Sequence, residues 1–443
     1  MPESKGNGRE SPTRLDVQLD LIFNGVPGVE PGLEGAEAYP PDWSAKGDVE
    51  YLYRAGAVLV RDAEALQVAD FLHATPVQHD KNVRGLTRLE LPEKVTVEDA
   101  CARADLFFGE GVVTPDHIFY ITTTTACAAT EPEEVPPGAG PDPGVSTESC
   151  DGHGVEIAVL DSGLLLGATA QHSWLAGVTG EYEDPLTGTP PRILAYVGHG
   201  TFVTGVAATM APKASIWVAR TFELIGAKYE SDLVMDVNVA LRRGAEIISL
   251  AFGTNTRKDI PSLGFEVVGD QLKHYPGVVL VAAAGNGSSK RRFWPAAFGW
   301  ALSVGALGAN WRSRAHFTNY GPWVDVYAPG EGLINAYADG QYTCIEPPNV
   351  GQVRNFAGLA RWSGTSFAAP LVAGLIAARM SGTGQTAPQA AAALLALAQA
   401  QHSPGVGPIL LPGQACGDVP GQACGDHGDH GPRHGHSHHR RRG

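Results

Sequence analysis

From Gly154 onward the chain is punctuated by short, uninterrupted apolar runs, and these constrain its fold more than any other feature. They fall at 155–160, 193–197, 215–219, 246–250, 278–283, 301–304 and 324–328. Runs this short have strand length. The lack of alternation between apolar and polar positions implies strands covered on both faces. Helical stretches at 231–243, 263–274, 366–380 and 387–401 separate or follow them. Strands buried on both sides and joined by helices make a parallel α/β sheet, here of seven strands. Functional sites in such sheets gather at the carboxyl ends of the strands.

The first 152 residues have a different texture. Residues 1–50 are rich in Gly, Pro and acidic side chains, and 25–42 is expected to be unstructured. Between 51 and 122 the pattern predicts a strand at 56–60, a helix at 63–73, a strand at 86–91, a helix at 97–108 and a strand at 117–122. That order suits a small α+β unit of split βαβ, ferredoxin-like type, with one strand unplaced. Residues 123–152 carry EPEE, PPG and PDPG and read as an extended, accessible linker. After a compact unit at 153–402, the tail at 403–443 is low in complexity. PGQACGD occurs there twice, ahead of a His/Arg-rich end.

Four segments of the α/β part place reactive residue types where strands end or helices begin. Asp161 closes the run Ala158-Val159-Leu160, and His199 follows Gly198 at a helix start. Asn286 lies just beyond Ala283-Ala284-Gly285, and Ser366 follows Gly364-Thr365 at another helix start. A serine hydroxyl is a poor nucleophile until an imidazole takes its proton, and the imidazole needs a carboxylate to fix its tautomer. A tetrahedral oxyanion needs donors, which a side-chain amide and a helix N-terminal N–H can supply. Each segment alone reads as an ordinary turn or helix cap. All four in the order Asp, His, Asn, Ser in one α/β chain are not accounted for by that reading.

These segments resemble the signature boxes of the subtilisin-like serine peptidases, the subtilases, over about 153–400. The resemblance implies a three-layer α/β fold and a serine endopeptidase that forms an acyl-enzyme. Asp161 would orient, His199 would act as general base and Ser366 as nucleophile, with the Asn286 amide and the Ser366 N–H as the oxyanion hole. Ser249-Leu250-Ala251-Phe252-Gly253 is similar to the strand that pairs with extended substrate. Ala283, Ala284 and Gly285 would form the facing wall of the first specificity pocket. Small residues at 251, 253, 283 and 285 suggest room there for a sizeable apolar side chain. Phe202 and Leu371 stand where many members have histidine, and the insert between Pro329 and Trp362 is long for the family. The unit at 51–122 is similar to a subtilase prodomain, which implies a zymogen whose cleft is filled by its own N-terminal unit and opened by self-cleavage within 122–150.

Charge and composition bound the partners. The net charge is −15, yet 153–400 holds 17 basic and 17 acidic residues, against 11 and 27 in 1–152. The acidity thus sits in the N-terminal part and speaks against nucleic acid or anionic lipid as a partner. No apolar run reaches the roughly 18 residues of a membrane span. Polypeptide substrates and the chain's own N-terminal unit are the expected partners, and a monomer is expected. No cofactor and no metal site is expected, since the calcium sites of secreted relatives find no match. With no secretory signal, the expected location is cytoplasmic, with secretion as the alternative. The cysteines at 101, 127, 150, 344, 416 and 424 form no CxxC pair, and most would be free thiols in a reducing compartment. The rival readings are a silent subtilase fold that binds peptides, an acid-acting sedolisin, and a metal-handling protein led by the tail histidines.

Overall fold

The computed structural model of the chain describes residues 13–42, 49–77, 83–121, 130–183, 186 and 188–416. A capping box between Thr13 and Asp16 starts helix α1 (Arg14–Asn24), and strand β1 (Ala36–Tyr39) follows. Leu19 and Ile22 of α1 are buried against Ala38, Leu52, Ile118 and Tyr229. The expectation of an unstructured stretch at 25–42, within a flexible 1–50, is therefore corrected. Its few apolar residues are enough because they meet a surface that distant segments supply.

The small α+β unit has the order β2 (Tyr51–Arg61), α2 (Ala65–Leu72), β3 (Thr75–Pro76), β4 (Leu86–Glu90), α3 (Val97–Phe108), β5 (Val113–Ile121). Its strands pair antiparallel in the order β5-β2-β4-β3, with β1 also on β2. This is the ferredoxin-like arrangement, and the unplaced strand is β3, two exposed residues long. Strand alternation divides its apolar residues between two faces. Val58, Val60 and Leu89 meet α2 and α3 through Val68, Leu72, Ala100 and Ala104. Leu59, Leu86 and Phe119 face the other way, into the core of the larger unit beside Leu233, Val237 and Phe265.

In that larger unit, β6 (Glu156–Asp161), β7 (Val178–Gly180), β9 (Ser215–Arg220), β11 (Ile247–Leu250), β13 (Val279–Ala283), β14 (Ala301–Leu307) and β15 (Val326–Pro329) form one sheet. Its order is β15-β14-β13-β11-β6-β9-β7, and every pairing in it is parallel. The predicted strand at 193–197 is not in it. Only Arg192–Ile193 (β8) is extended there, paired with a long hairpin made of β16 (Leu333–Thr343) and β17 (Val353–Trp362), which fills the insert after Pro329.

Helices cover both faces of the parallel sheet, as its unalternating strands require. Helix α4 (His199–Met210) and α7 (Thr365–Thr383) lie on one face, α5 (Glu230–Arg242) and α6 (Leu263–Leu272) on the other, and α8 (Ala387–Ala400) packs on α7. A Cβ on Gly374 would stand 2.6 Å from the Ala207 carbonyl, so glycine lets α7 cross α4 closely. That crossing holds together the helices that begin at His199 and just before Ser366.

Where the linker is described, at 130–152, it is tied to the larger unit at several points, while many of its residues stay exposed. Isolated bridges join Glu133 to Arg361 and Asp142 to Ile334. The buried Glu131 carboxylate accepts from Tyr342 Oη at 2.8 Å and the Ile345 N–H at 2.7 Å, and Trp362 Nε1 donates to the Thr130 carbonyl. Packing also continues past the expected end at 402, since Ile409, Leu410 and Ala415 are buried. A disulfide joins Cys150 to Cys416, while Cys101 and Cys344 are buried free thiols. The expected preponderance of free thiols thus fails for this pair, and Cys127, Cys424 and the tail histidines lie outside the described residues. Among the described residues no helix is long and apolar enough to cross a membrane.

Candidate active site

The sheet brings the four predicted segments to one edge. Asp161 ends β6, and Gly198, with φ of 83°, turns the chain so that α4 opens on His199. His199 Nδ1 lies 2.7 Å from Asp161 Oδ1, with both side chains buried. That contact fixes the imidazole with Nδ1 toward the carboxylate and leaves Nε2 for chemistry. The ring is also fixed by aromatic neighbours, edge-on to Trp362 at 5.3 Å and 5.4 Å from Phe367. Phe367 follows Ser366 in sequence, so the packing that orients the imidazole also ties it to the serine helix.

Ser366 lies in the first turn of α7, where backbone N–H groups have no intrahelical partner. Its hydroxyl donates to the Ala251 carbonyl at 3.3 Å. Asn286 Oδ1 accepts from the Thr365 N–H and from the Thr365 hydroxyl, each at 2.9 Å. Thr365 thereby fixes which end of the amide is held and turns the NH₂ end toward Gly364, where a Cβ would lie 3.6 Å from Nδ2. The NH₂ end of the amide is thereby placed beside the residues that lead into the first turn of α7.

Two further residues organise this edge and carried no motif of their own. The Glu183 carboxylate accepts from Ser162 Oγ at 2.8 Å and from the Gly198 N–H at 2.9 Å, and Ser162 Oγ in turn accepts from the Gly200 N–H. It therefore ties the turn after Asp161 to the start of the His199 helix. Burial pushes its pKa up to about 8, against the Gly198 and Ser162 donors that favour the charged form. In sequence it sits in Glu181-Tyr182-Glu183-Asp184, which looks like any solvated acidic loop. Phe293 is the second. It packs between Gly253 and Gly285, in the space the small residues were expected to leave open.

The cleft beside Ser366 is lined by two strand edges, and β5 lies between them. Tyr120 and Ile121 pair antiparallel with Gly253 and Phe252 of β12 (Phe252–Gly253). On its other side, Ile118–Tyr120 pairs with β10 (Ala227–Tyr229). Gln18 of α1 donates to the Ile121 carbonyl at 3.4 Å. Just upstream, Asp116 accepts from the Ser231 N–H at 3.0 Å and the Ser231 hydroxyl at 2.8 Å, capping α5 from outside its own chain segment. Arg54 pairs with Asp116 at 2.9 Å, and burial still raises its carboxyl to about 6. His117 Nδ1 stands 3.1 Å from Glu230 Oε2, and Glu230 Oε1 accepts from Ser262 Oγ at 2.8 Å. Among the described residues, no three His, Cys, Asp or Glu side chains converge as a metal site requires.

Comparison with known proteins gives a consistent picture. A family model described as the subtilase family matches residues 152–407. A thermophilic serine proteinase of Bacillus sp. (strain AK1) is 33% identical over 239 residues, 51% of each chain. Thermitase of Thermoactinomyces vulgaris is 30% identical over 258 residues, 55% of this chain and 81% of thermitase. The chain thus spans about half the length of the first of these relatives and most of the second. Among solved structures, fervidolysin from Fervidobacterium pennivorans, described as a keratinolytic enzyme related to subtilisin, aligns with a TM-score of 0.59 at 20% identity. That alignment covers 84% of this chain and 62% of fervidolysin. It shows a shared fold.

Proposed function

Because the chain belongs to the subtilase family, we propose that it is a serine endopeptidase whose Asp161, His199 and Ser366 act as one catalytic unit. The observation that carries this reading is the buried 2.7 Å contact between His199 and Asp161 beside the first turn that bears Ser366. In the proposed reaction Ser366 Oγ attacks the peptide carbonyl carbon as its proton passes to His199 Nε2. Asp161 holds the Nδ1–H and stabilises the imidazolium. The oxyanion takes hydrogen bonds from the Asn286 amide and the Ser366 N–H. Collapse expels the amine, which takes the proton from His199, and leaves an ester on Ser366. A water then gives its proton to His199 and its oxygen to the acyl carbon, freeing the acid and restoring the serine. No cofactor enters any step.

Substrate is proposed to lie as an added strand on Ala251-Phe252-Gly253, opposite the wall formed by Ala283, Ala284 and Gly285. The position of β5 on β12 and β10 supports a zymogen in which the N-terminal unit fills that cleft. Self-cleavage within 122–150 would then make it a separable partner of a monomeric peptidase. The Cys150–Cys416 bridge favours an oxidising compartment, and so secretion over the cytoplasm. The test is mass spectrometry of the purified chain beside Ser366→Ala. Linker cleavage in the wild type and none in the variant is expected; equal trimming of both would overturn self-processing. Absence of fluorophosphonate labelling at Ser366 would favour the silent, peptide-binding alternative.

A further inference from the structure

We propose that Phe293 plugs the first specificity pocket, so that the enzyme cuts after small side chains, from glycine to threonine, and rejects large apolar ones. The proposal rests on the peptidase reading above and adds the substrate class to it.

The ladder in the cleft supplies the geometry. Tyr120 sits opposite Gly253 and Ile121 opposite Phe252. A substrate strand laid on the same ladder brings its next residue opposite Ala251, whose carbonyl lies 3.3 Å from Ser366 Oγ. That residue carries the carbonyl to be attacked. Side chains alternate along a strand, so its side chain shares a face with the residue opposite Gly253. Phe293 occupies that face. A Cβ on Gly253 would stand 2.3 Å from Phe293 Cε1, and the Tyr120 ring lies 6.1 Å from the Phe293 ring. On the facing wall, a Cβ on Gly285 would stand 2.9 Å from Phe293 Cδ1. The ring therefore spans the gap between the two glycine backbones and is 4% exposed. A slot between two such backbones suits a flat apolar side chain, and here the protein fills it with its own.

The sequence gives a second, independent pointer. After Ile121 the chain reads Thr122-Thr123-Thr124-Thr125-Ala126-Cys127-Ala128-Ala129, with nothing larger than threonine. Whichever bond of this stretch served as the enzyme's first substrate, the residue on the acyl side would be small. A shallow first pocket needs just that of its own propeptide.

The test compares the full-length chain with Phe293→Ala and Phe293→Val on peptides that differ only in the residue before the scissile bond, Ala against Phe. A single methylene misfit is worth about 10–200-fold in kcat/KM, so the wild type should favour Ala over Phe by about 100-fold or more. That ratio should fall at least about tenfold in Phe293→Ala and by an intermediate amount in Phe293→Val. Cut sites mapped by mass spectrometry on a denatured protein give a readout that needs no variant to fold. Wild-type cutting after Phe, Leu or Tyr as readily as after Ala or Thr, or a ratio unmoved across the Phe293 series, overturns the proposal. Fluorophosphonate labelling separates the two levels. Labelled Ser366 without cleavage after small residues sinks the pocket assignment alone, whereas no labelling and no cleavage sinks the peptidase reading beneath it.

Discussion

The N-terminal α+β unit and the α/β unit solve the burial problem in different ways. The parallel sheet is sealed by helices on both faces, and its strands need no outside partner. The antiparallel sheet covers one face with its own α2 and α3 and leaves the other for α5 and α6 of its neighbour. At the contact, buried polar groups do much of the matching, with Asp116 on Ser231 and His117 on Glu230. Charge divides the same way, the acidic excess lying in 1–152 and none in 153–400. One unit is thus self-sufficient, and the other is built to be completed by it. The interface between them is partly polar and anchored on two strand ladders, β5 against β10 and against β12, and it also buries Leu59, Leu86 and Phe119.

The contrast can be broken most severely inside the α/β unit. Asn286→Ala removes the proposed oxyanion donor while leaving the sheet intact, and kcat on peptide substrates should drop by about 10²–10³-fold with little change in KM. A loss of under tenfold would place the oxyanion site elsewhere. The junction is the next place to press. Asp116→Ala strips a helix cap and leaves Arg54 without its buried partner, which should weaken docking of the N-terminal unit by about 2 kcal/mol, or about 30-fold. Dissociation of the cleaved N-terminal fragment, followed by size exclusion or recovered activity, measures this. Unchanged retention would show that apolar contact alone holds the units together.

The smallest effect concerns Glu183. Its carboxyl is raised from an ordinary value of 4.5 to about 8 in the fold. The folded protein therefore keeps a proton that the unfolded chain gives up. The stability this group contributes is fully present below about pH 4.5 and is lost as pH rises through about 8. Glutamine has no such proton to lose. Glu183→Gln should therefore gain stability relative to wild type as pH goes from 5 to 8 in denaturant titrations. A difference that stays flat with pH would mean that the carboxylate is already ionised in the fold.

The sheet and the four reactive segments were legible because their signals are local. An unalternating apolar run announces a doubly covered strand, and serine chemistry demands particular residue types at strand ends and helix starts. What escaped depended on partners far away in sequence. Helix α1 is ordered by Ile118 and Tyr229, about a hundred and two hundred residues on. The linker is held by polar groups such as Glu131 on Tyr342, which its composition presents as solvated. Ile193–Val197 has the apolarity of a strand, but only Ile193 is paired, and its partner is the hairpin rather than the sheet. The small residues at 251, 253, 283 and 285 suggest open space, because nothing near them in sequence reveals that Phe293 folds back between Gly253 and Gly285.

The bridge between Cys150 and Cys416 has a topological consequence. It joins the residue that ends the linker to one just beyond the last packed helix, so the polypeptide between them is a covalent ring 267 residues around. The described residues of the parallel sheet and the helices that bear His199 and Ser366 all lie within that ring. Cuts on the N-terminal side of Cys150 can shed everything before it, yet leave the ring without a loose end from which to unravel. Loop-closure entropy puts the gain at roughly 5–6 kcal/mol at most. Both ends of the part that bears Asp161, His199 and Ser366 are thus fastened to each other.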